Sequence, residues 1–255
     1  MYIVVPHYII TEELKELATQ ALKSLKAFTK VYIVSVDDGS PMDTTFLDEY
    51  SDYVVRLKKN SGFGPACNAG FRHIINKHGD RAAFIGCANN DIEVFYDWAD
   101  SLLEPYGKFD DVGVTGLVSD KNRDVAKYRK GRKITSGGLL DSYMQSGGLW
   151  LMSRRSFDTV WDYKLGRLFD EQFEIGGEED VDLFVRIRQQ GFRLVMSDKS
   201  CFWHKEGATR WNEDIEGFRD KNKAIEEKNY DKYAKKWGYD IRARGLNFSE
   251  EVLEP

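Results

Sequence analysis

Cysteine is scarce in this chain. Cys67, Cys87 and Cys201 form an odd set without CxxC spacing, which excludes a disulfide framework and a cysteine-based zinc cluster. A reducing compartment, the cytoplasm, is the expected setting. Long apolar runs are missing as well: none approaches the roughly 20 residues that span a bilayer, so any membrane contact is expected to be peripheral. The opening MYIVVPHY has no basic region, long apolar stretch or small-residue cleavage site, and it reads as a first strand rather than a signal peptide. There is no basic excess. Lys plus Arg is 37 against 42 for Asp plus Glu, a net charge of −5, which argues against a broad nucleic-acid surface but leaves room for a local site on one phosphate pair. Internal repeats and low-complexity tracts are absent.

What is present describes an ordinary water-soluble globular protein. At 255 residues with 42% hydrophobic positions, the chain is long enough to bury a substantial core, as one large α/β domain or a domain with a modest appendage. A β-branched run at 2–5 precedes a segment, 11–28, in which Leu14, Leu17, Ala18, Ala21, Leu22 and Leu25 recur at helical spacing, with Thr11 placed to cap it. Apolar runs at 31–36 and 53–57 end in Asp37-Asp38-Gly39-Ser40 and Asn60-Ser61-Gly62. Strand, helix and strand in alternation is the rhythm of a parallel sheet. A helix is expected at 65–77 and a strand buried on both faces at 82–88, running into Asn89-Asn90-Asp91. Another helix over 95–106, a strand over 112–118 and an aperiodic basic loop over 120–138 follow. The second half predicts strands at 149–153 and 193–196 and helices near 154–161 and 178–190, the last stopped by Gly191. From Trp211 to Trp237 the chain is highly charged with scattered aromatics, which predicts an amphipathic helical extension packed on the main domain.

In open α/β sheets ligands bind beyond the carboxyl ends of the strands. Polar clusters follow the first four strands here: Pro6-His7-Tyr8, Asp37 to Ser40, Asn60 to Gly62, and Asn89 to Asp91. Each alone is an ordinary turn former. Together they put one carboxylate, Asp38, where it can hydrogen-bond a base or ribose and a second, Asp91, where it can hold a divalent cation. Mg²⁺ and Mn²⁺ are commonly held by one or two carboxylates plus phosphate oxygens. Glu178-Glu179-Asp180 opens a helix, where acidic residues are favoured by the macrodipole whatever the function. A general base there would work chiefly by being aimed at its substrate. His204 becomes a candidate partner for Asp91, because imidazole suits Mn²⁺ better than Mg²⁺. His7, His73 and His78 have no such company and receive no role.

With those residues in view, the chain resembles the family 2 glycosyltransferases, inverting enzymes of the GT-A fold. The likeness spans roughly the first 207 residues and lies in the order of its parts: Pro6-His7-Tyr8, VDDGS at 36–40, NSGFGPACNAGF at 60–71, NND at 89–91, Gly147-Gly148 before a strand, EDVDL at 179–183, and His204. The resemblance implies a Rossmann-like GT-A domain over 1–210, a mixed, mostly parallel sheet flanked by helices, followed by a charged helical C-terminal extension over 211–255. It implies that Asp38 contacts the nucleotide base, that Pro6 and Tyr8 shape the base and ribose pocket, and that Asn68 and Gly70 lie along the donor groove. Asp91 and His204 would bind Mn²⁺ or Mg²⁺. Asn89 stands where many members carry an aspartate, so it would support the metal through water or touch the ribose, with Asn90 beside it at the donor. Asp180 is the implied base and Glu179 the reserve. From charge and location alone, and not from the resemblance, Lys and Arg residues over 121–133, or Lys205 and Arg210, are expected to close over the phosphates.

The implied partners are a nucleotide-sugar donor, UDP- or dTDP-linked by the look of NND and GFGPACN, and a glycan or other hydroxyl acceptor. Competing readings have their own signatures. A sugar-nucleotide-forming nucleotidyltransferase would carry a glycine-rich loop after the first strand, and residues 1–12 contain no glycine. A glycoside hydrolase would need two opposed carboxylates and no nucleotide. A non-catalytic sugar-binding module would bind without turnover.

Overall fold

The computed structural model describes residues 1–120, 139–142, 147–209, 212, 217–238 and 251–252. Its centre is a ten-stranded mixed sheet. The strands are β1 (Tyr2–His7), β2 (Tyr32–Asp37), β3 (Tyr53–Arg56), β4 (Phe84–Ala88), β5 (Ile92–Val94), β6 (Val112–Asp120), β7 (Leu139–Ser142), β8 (Leu149–Ser153), β9 (Arg193–His204) and β10 (Glu251–Val252). The order is β10-β7-β9-β6-β8-β4-β1-β2-β3, with β5 paired to β9 off that path. β4, β1, β2 and β3 are mutually parallel, while β8 runs antiparallel between β4 and β6. Because β6 is parallel to β9, two reversals of direction bring the carboxyl ends of β9 and β4 to the same edge of the sheet. Asp91 and His204 therefore meet through topology, although 113 positions separate them in sequence.

The helices are α1 (Glu12–Ala27), α2 (Phe46–Tyr50), α3 (Phe63–His78), α4 (Trp98–Lys108), α5 (Arg154–Val160), α6 (Glu179–Gln189) and α7 (Phe218–Trp237). Thr11 caps α1 as its sequence predicts, accepting from the Leu14 amide at 3.2 Å. The helical stripe from Leu14 to Leu25 is buried, and each large apolar side chain withdrawn from water contributes about 1.5–3 kcal/mol. One core layer joins α3, α5 and α6 to one face of the sheet through Val4, Phe71, Trp150, Phe157 and Phe184. A second joins α1 and α4 to the other face through Ile3, Val5, Leu22, Trp98 and Phe202.

Several elements differ from the sequence expectation. β9 continues to His204 because a bulge takes up the polar stretch after Ser197: Leu117 pairs with Ser197 and the next residue, Val118, with Cys201. The helix expected from residue 95 starts at Trp98, since Ile92–Val94 pairs with β9 as a short strand and Asp97 adopts φ 66°. Helix α7 falls within the predicted extension, but its inward face is partly polar. Asn222, Asn229 and Tyr233 are its buried residues, so two asparagines stand where an amphipathic helix would place apolar side chains. The predicted loop at 120–138 lies almost wholly outside the described residues, as do residues 121–133 and Arg210 invoked for closing over phosphates. Among the described residues no helix is long and apolar enough to cross a membrane.

Candidate active site

A cleft of about 450 Å³ opens along the sheet edge where β1, β2, β3, β4 and β9 end. Pro6, His7 and Tyr8 line it after β1, Asp38 after β2, Asn60 and Gly62 after β3, and Asn89, Asn90 and Asp91 after β4. Gly147 and Gly148 approach from the start of β8, Asp180 from the first turn of α6, and His204 from the end of β9. The first turns of α7 add Phe218 and Asn222.

Asp38 is nearly buried, and three donors converge on it. Its Oδ1 accepts from the Ser61 amide at 2.8 Å and the Ser61 hydroxyl at 2.6 Å, and its Oδ2 accepts from the Gly62 amide at 2.8 Å. Burial outweighs these bonds and pushes the Asp38 carboxyl above its usual range. A carboxylate offers about four lone-pair sites, so one acceptor position remains for a ligand. The neighbouring Asp37 is taken up by the turn itself, accepting from the Ser40 amide at 2.9 Å and Thr44 Oγ1 at 2.7 Å.

The second cluster is Asn89, Asp91 and His204. His204 Nε2 lies 3.1 Å from Asp91 Oδ1 and 3.2 Å from Asn89 Nδ2, and both side chains of the His-Asp pair are nearly buried. Asn89 Oδ1 is buried and, among the described residues, has no hydrogen-bond partner, an orphaned acceptor on the side chain whose Nδ2 meets His204. Gly148 makes room for the imidazole: a Cβ there would stand 3.1 Å from His204 Nδ1 and 2.9 Å from Phe202 Cε2. This donor set fits a hard divalent cation. Cis ligands of an octahedral ion at about 2.1 Å stand about 3.0 Å apart, close to the 3.1 Å between His204 Nε2 and Asp91 Oδ1. Among the described residues no group of three or more His, Cys, Asp or Glu forms a closed cage, so further ligands would come from water and a bound phosphate.

Asp180 reaches the cleft, with Oδ1 accepting from the Val181 amide at 2.8 Å and Oδ2 against Gly147, where a Cβ would force the carboxylate to shift. Glu179, the reserve base, is buried and absent from the cleft wall; its Cβ and Cγ pack toward Gly64 of α3. The turn before them is unusual. Ile175, Gly176, Gly177 and Glu178 all have positive φ, at 60°, 151°, 106° and 73°. A β-branched residue in that region is strained by about 1–3 kcal/mol and persists only where its surroundings hold it.

One pair of candidates lies elsewhere than expected. Asn68 and Gly70 do not line the cleft but lie beneath it. Asn68 is fully buried, its Oδ1 accepting from the Leu168 and Phe169 amides at 2.9 Å and its Nδ2 donating to Phe169 O at 2.9 Å and Glu171 Oε1 at 3.0 Å. It staples α3 to the 168–171 segment. Gly70 packs α3 on the sheet so tightly that a Cβ would stand 2.6 Å from Val4 Cγ1. Lys205, read as a phosphate-closing residue, is paired with Glu13 Oε1 at 3.2 Å. His7, given no role from sequence, is buried in the cleft floor with Nε2 3.1 Å from Ser35 Oγ. Burial lowers its pKa to about 3, against a smaller raising influence of Asp37, so the ring is neutral at ordinary pH.

The sequence profile of glycosyl transferase family 2 matches residues 2–164, well over half of the chain. It ends before Asp180 and His204, which reach the cleft through the fold. No curated protein sequence matches significantly. Among solved structures, GalNAc-T7 with UDP, GalNAc and Mn²⁺ is similar at 20% identity and a TM-score of 0.61, over 80% of this chain and 43% of that one. Staphylococcus aureus TarS 1-349 in complex with UDP-GlcNAc is similar at 17% identity and 0.54, over 79% and 57%. The mannosyltransferase PcManGT from Pyrobaculum calidifontis, in complex with GDP-Man and Mn²⁺, is similar at 18% identity and 0.54, over 82% and 59%. The chain thus spans roughly half the length of these proteins, and at such identities the likeness carries the GT-A fold. By its matched profile and by that fold, the chain belongs to glycosyl transferase family 2.

Proposed function

We propose that the protein is an inverting glycosyltransferase that moves a sugar from a nucleoside-diphosphate donor, a UDP- or dTDP-sugar, to a hydroxyl of a glycan acceptor. The observation that carries this reading is the meeting of Asp38, Asn89, Asp91, His204 and Asp180 around one cleft from four separate chain segments. The base would lie at the β1–β3 end, bounded by Pro6 and Tyr8 and contacted by the spare acceptor position of Asp38. Asn89 and Asn90 stand where the ribose and pyrophosphate would pass.

Asp91 and His204 would hold a divalent cation, Mn²⁺ or Mg²⁺, with Asn89 beside them, its Nδ2 3.2 Å from His204 Nε2. When bound, that ion supplies positive charge against the departing pyrophosphate. Asp180 accepts the proton of the acceptor hydroxyl as its oxygen attacks the anomeric carbon, and the nucleoside diphosphate leaves from the opposite face with inversion of configuration. Gly147 keeps the space beside Asp180 Oδ2 clear of side chains. The GDP-Man and Mn²⁺ of PcManGT and the UDP, GalNAc and Mn²⁺ of GalNAc-T7 support nucleotide-sugar and cation use on this fold.

A thermal-shift panel of UDP-, dTDP- and GDP-sugars with and without Mn²⁺ tests the reading, since a ligand bound to the folded state at 100 times its Kd adds about 2.7 kcal/mol. A nucleotide sugar that stabilises the protein only with the cation is expected. Stabilisation by free glycans with no response to any nucleotide would favour a sugar-binding module or a hydrolase.

A further inference from the structure

We propose that Asn229, on the C-terminal helix α7, is a positioning residue for Asp180: it fixes the backbone turn that delivers this carboxylate to the cleft. The inference rests on the reading of Asp180 as the base. Asn229 is fully buried although its amide is polar; Lys232 Nζ of its own helix lies 3.4 Å from its Oδ1, and among the described residues the amide's hydrogen bonds to another segment go to residues 174–176. Its Oδ1 accepts from the Glu174 amide at 3.2 Å, and its Nδ2 donates to Glu174 O at 2.9 Å and Gly176 O at 3.3 Å. The three bonds bracket Ile175, the strained β-branched residue that begins the four-residue run of positive φ ending at Glu178. Two residues after that run stands Asp180. A change in φ or ψ within the run swings everything that follows it, and a base that works by aim loses most from such a swing.

The opposite side of the turn is held by the nucleotide end of the cleft. Ile175 bridges Gly62 in parallel, its carbonyl accepting from the Phe63 amide at 3.0 Å, and the Gly62 amide is one of the three donors to Asp38. A Cβ on Gly62 would stand 2.6 Å from Ile175 Cα, so only glycine permits that approach. The turn is thus clamped between Asp38, through Gly62, and α7, through Asn229. α7 is itself anchored on the helix that Asp180 opens. Asp182 Oδ1 accepts from Trp237 Nε1 at 3.0 Å and Lys236 Nζ at 2.6 Å, and Tyr233 packs with Phe173 and Val181. The role assigned to the charged extension is therefore to complete the placement of the base.

The test compares Asn229→Ala, Asn229→Asp and a packing control away from α7 and the cleft, Leu25→Ala in the buried stripe of α1. Asn229→Asp keeps the acceptor for the Glu174 amide but sets an anionic oxygen against two carbonyls. Both Asn229 variants should lower kcat at least tenfold while the calorimetric donor Kd stays within twofold of wild type. Leu25→Ala should lower Tm by as much or more yet keep kcat within threefold. Amide exchange over 174–181 should quicken in the Asn229 variants more than elsewhere in the domain. If Asn229→Ala does not fold, Asn229→Ser carries the same comparison. Wild-type kcat in a folded Asn229 variant, or an equal loss of kcat in Leu25→Ala at matched Tm, overturns the positioning role alone. A wild-type protein that neither transfers nor hydrolyses any nucleotide sugar, with Asp180→Asn indistinguishable from it, overturns the parent reading and this inference together.

Discussion

Lowering the pH from 7.5 to 5.0 should destabilise the protein through His7, and substituting that residue should remove the effect. His7 is fully buried in the floor of the cleft, and its pKa falls from 6.5 to about 3 because burial penalises the imidazolium. Between those two values the unfolded chain binds a proton that the folded chain refuses, so stability rises with pH across that window and levels off above 6.5. At pH 5.0, about 1.5 units below the ordinary value, the penalty is about 2 kcal/mol at 1.36 kcal/mol per unit. For a chain of this size that corresponds to roughly 4–8 °C in Tm. His7→Gln keeps a polar group near Ser35 Oγ and does not titrate. Urea unfolding of both proteins at pH 7.5 and 5.0 measures the difference and cancels the other titrating groups. The wild type should lose about 2 kcal/mol more than the variant between the two pH values. An identical pH response in the two proteins would refute the assignment of a buried, neutral imidazole at this position.

Other substitutions probe the cleft. Asp38→Asn turns the acceptor facing the Gly62 amide into a donor or costs a Ser61 bond, so roughly 2–4 kcal/mol of stability should be lost by urea unfolding, together with nucleotide affinity. The loss should shrink as pH rises above the usual carboxylate range. The Asp38 carboxyl is raised by burial, so the folded state holds its proton more tightly than the unfolded state, and ionisation of the wild-type residue weakens the fold. Asp91→Ala should remove the Mn²⁺-dependent part of nucleotide binding; calorimetric affinity unchanged in the presence of Mn²⁺ would contradict the cation role.

The parts of the fold with strong periodicity were legible in the sequence. The Leu14 to Leu25 stripe, the apolar β4 run into Asn89-Asn90-Asp91 and the polar ends of β1 to β4 identified a parallel sheet with a site at its carboxyl edge. Elements that depend on partners were not. Ile92–Val94 is a strand only because β9 lies beside it, and β9 itself passes through a polar bulge that reads as a break. Asn68 and Gly70 belong to the same motif as Asn60 and Gly62, yet the first half of α3 turns them into the core, where Asn68 meets a segment 100 residues away. Motif order identifies a family, but which face of a helix meets the ligand is decided by packing. Asn229 gave no signal of its own, since an asparagine in a charged helix looks like surface until the turn it holds is seen.

Rapid-quench measurement of sugar transfer by Asp180→Asn, paired with calorimetric donor affinity on the same preparation, bears most directly on the central claim. With Asp180 as the base, transfer should fall about 10²–10⁴-fold while the donor Kd stays near the wild-type value. Turnover within a few-fold of wild type would contradict that assignment and move the proton acceptor elsewhere in the cleft.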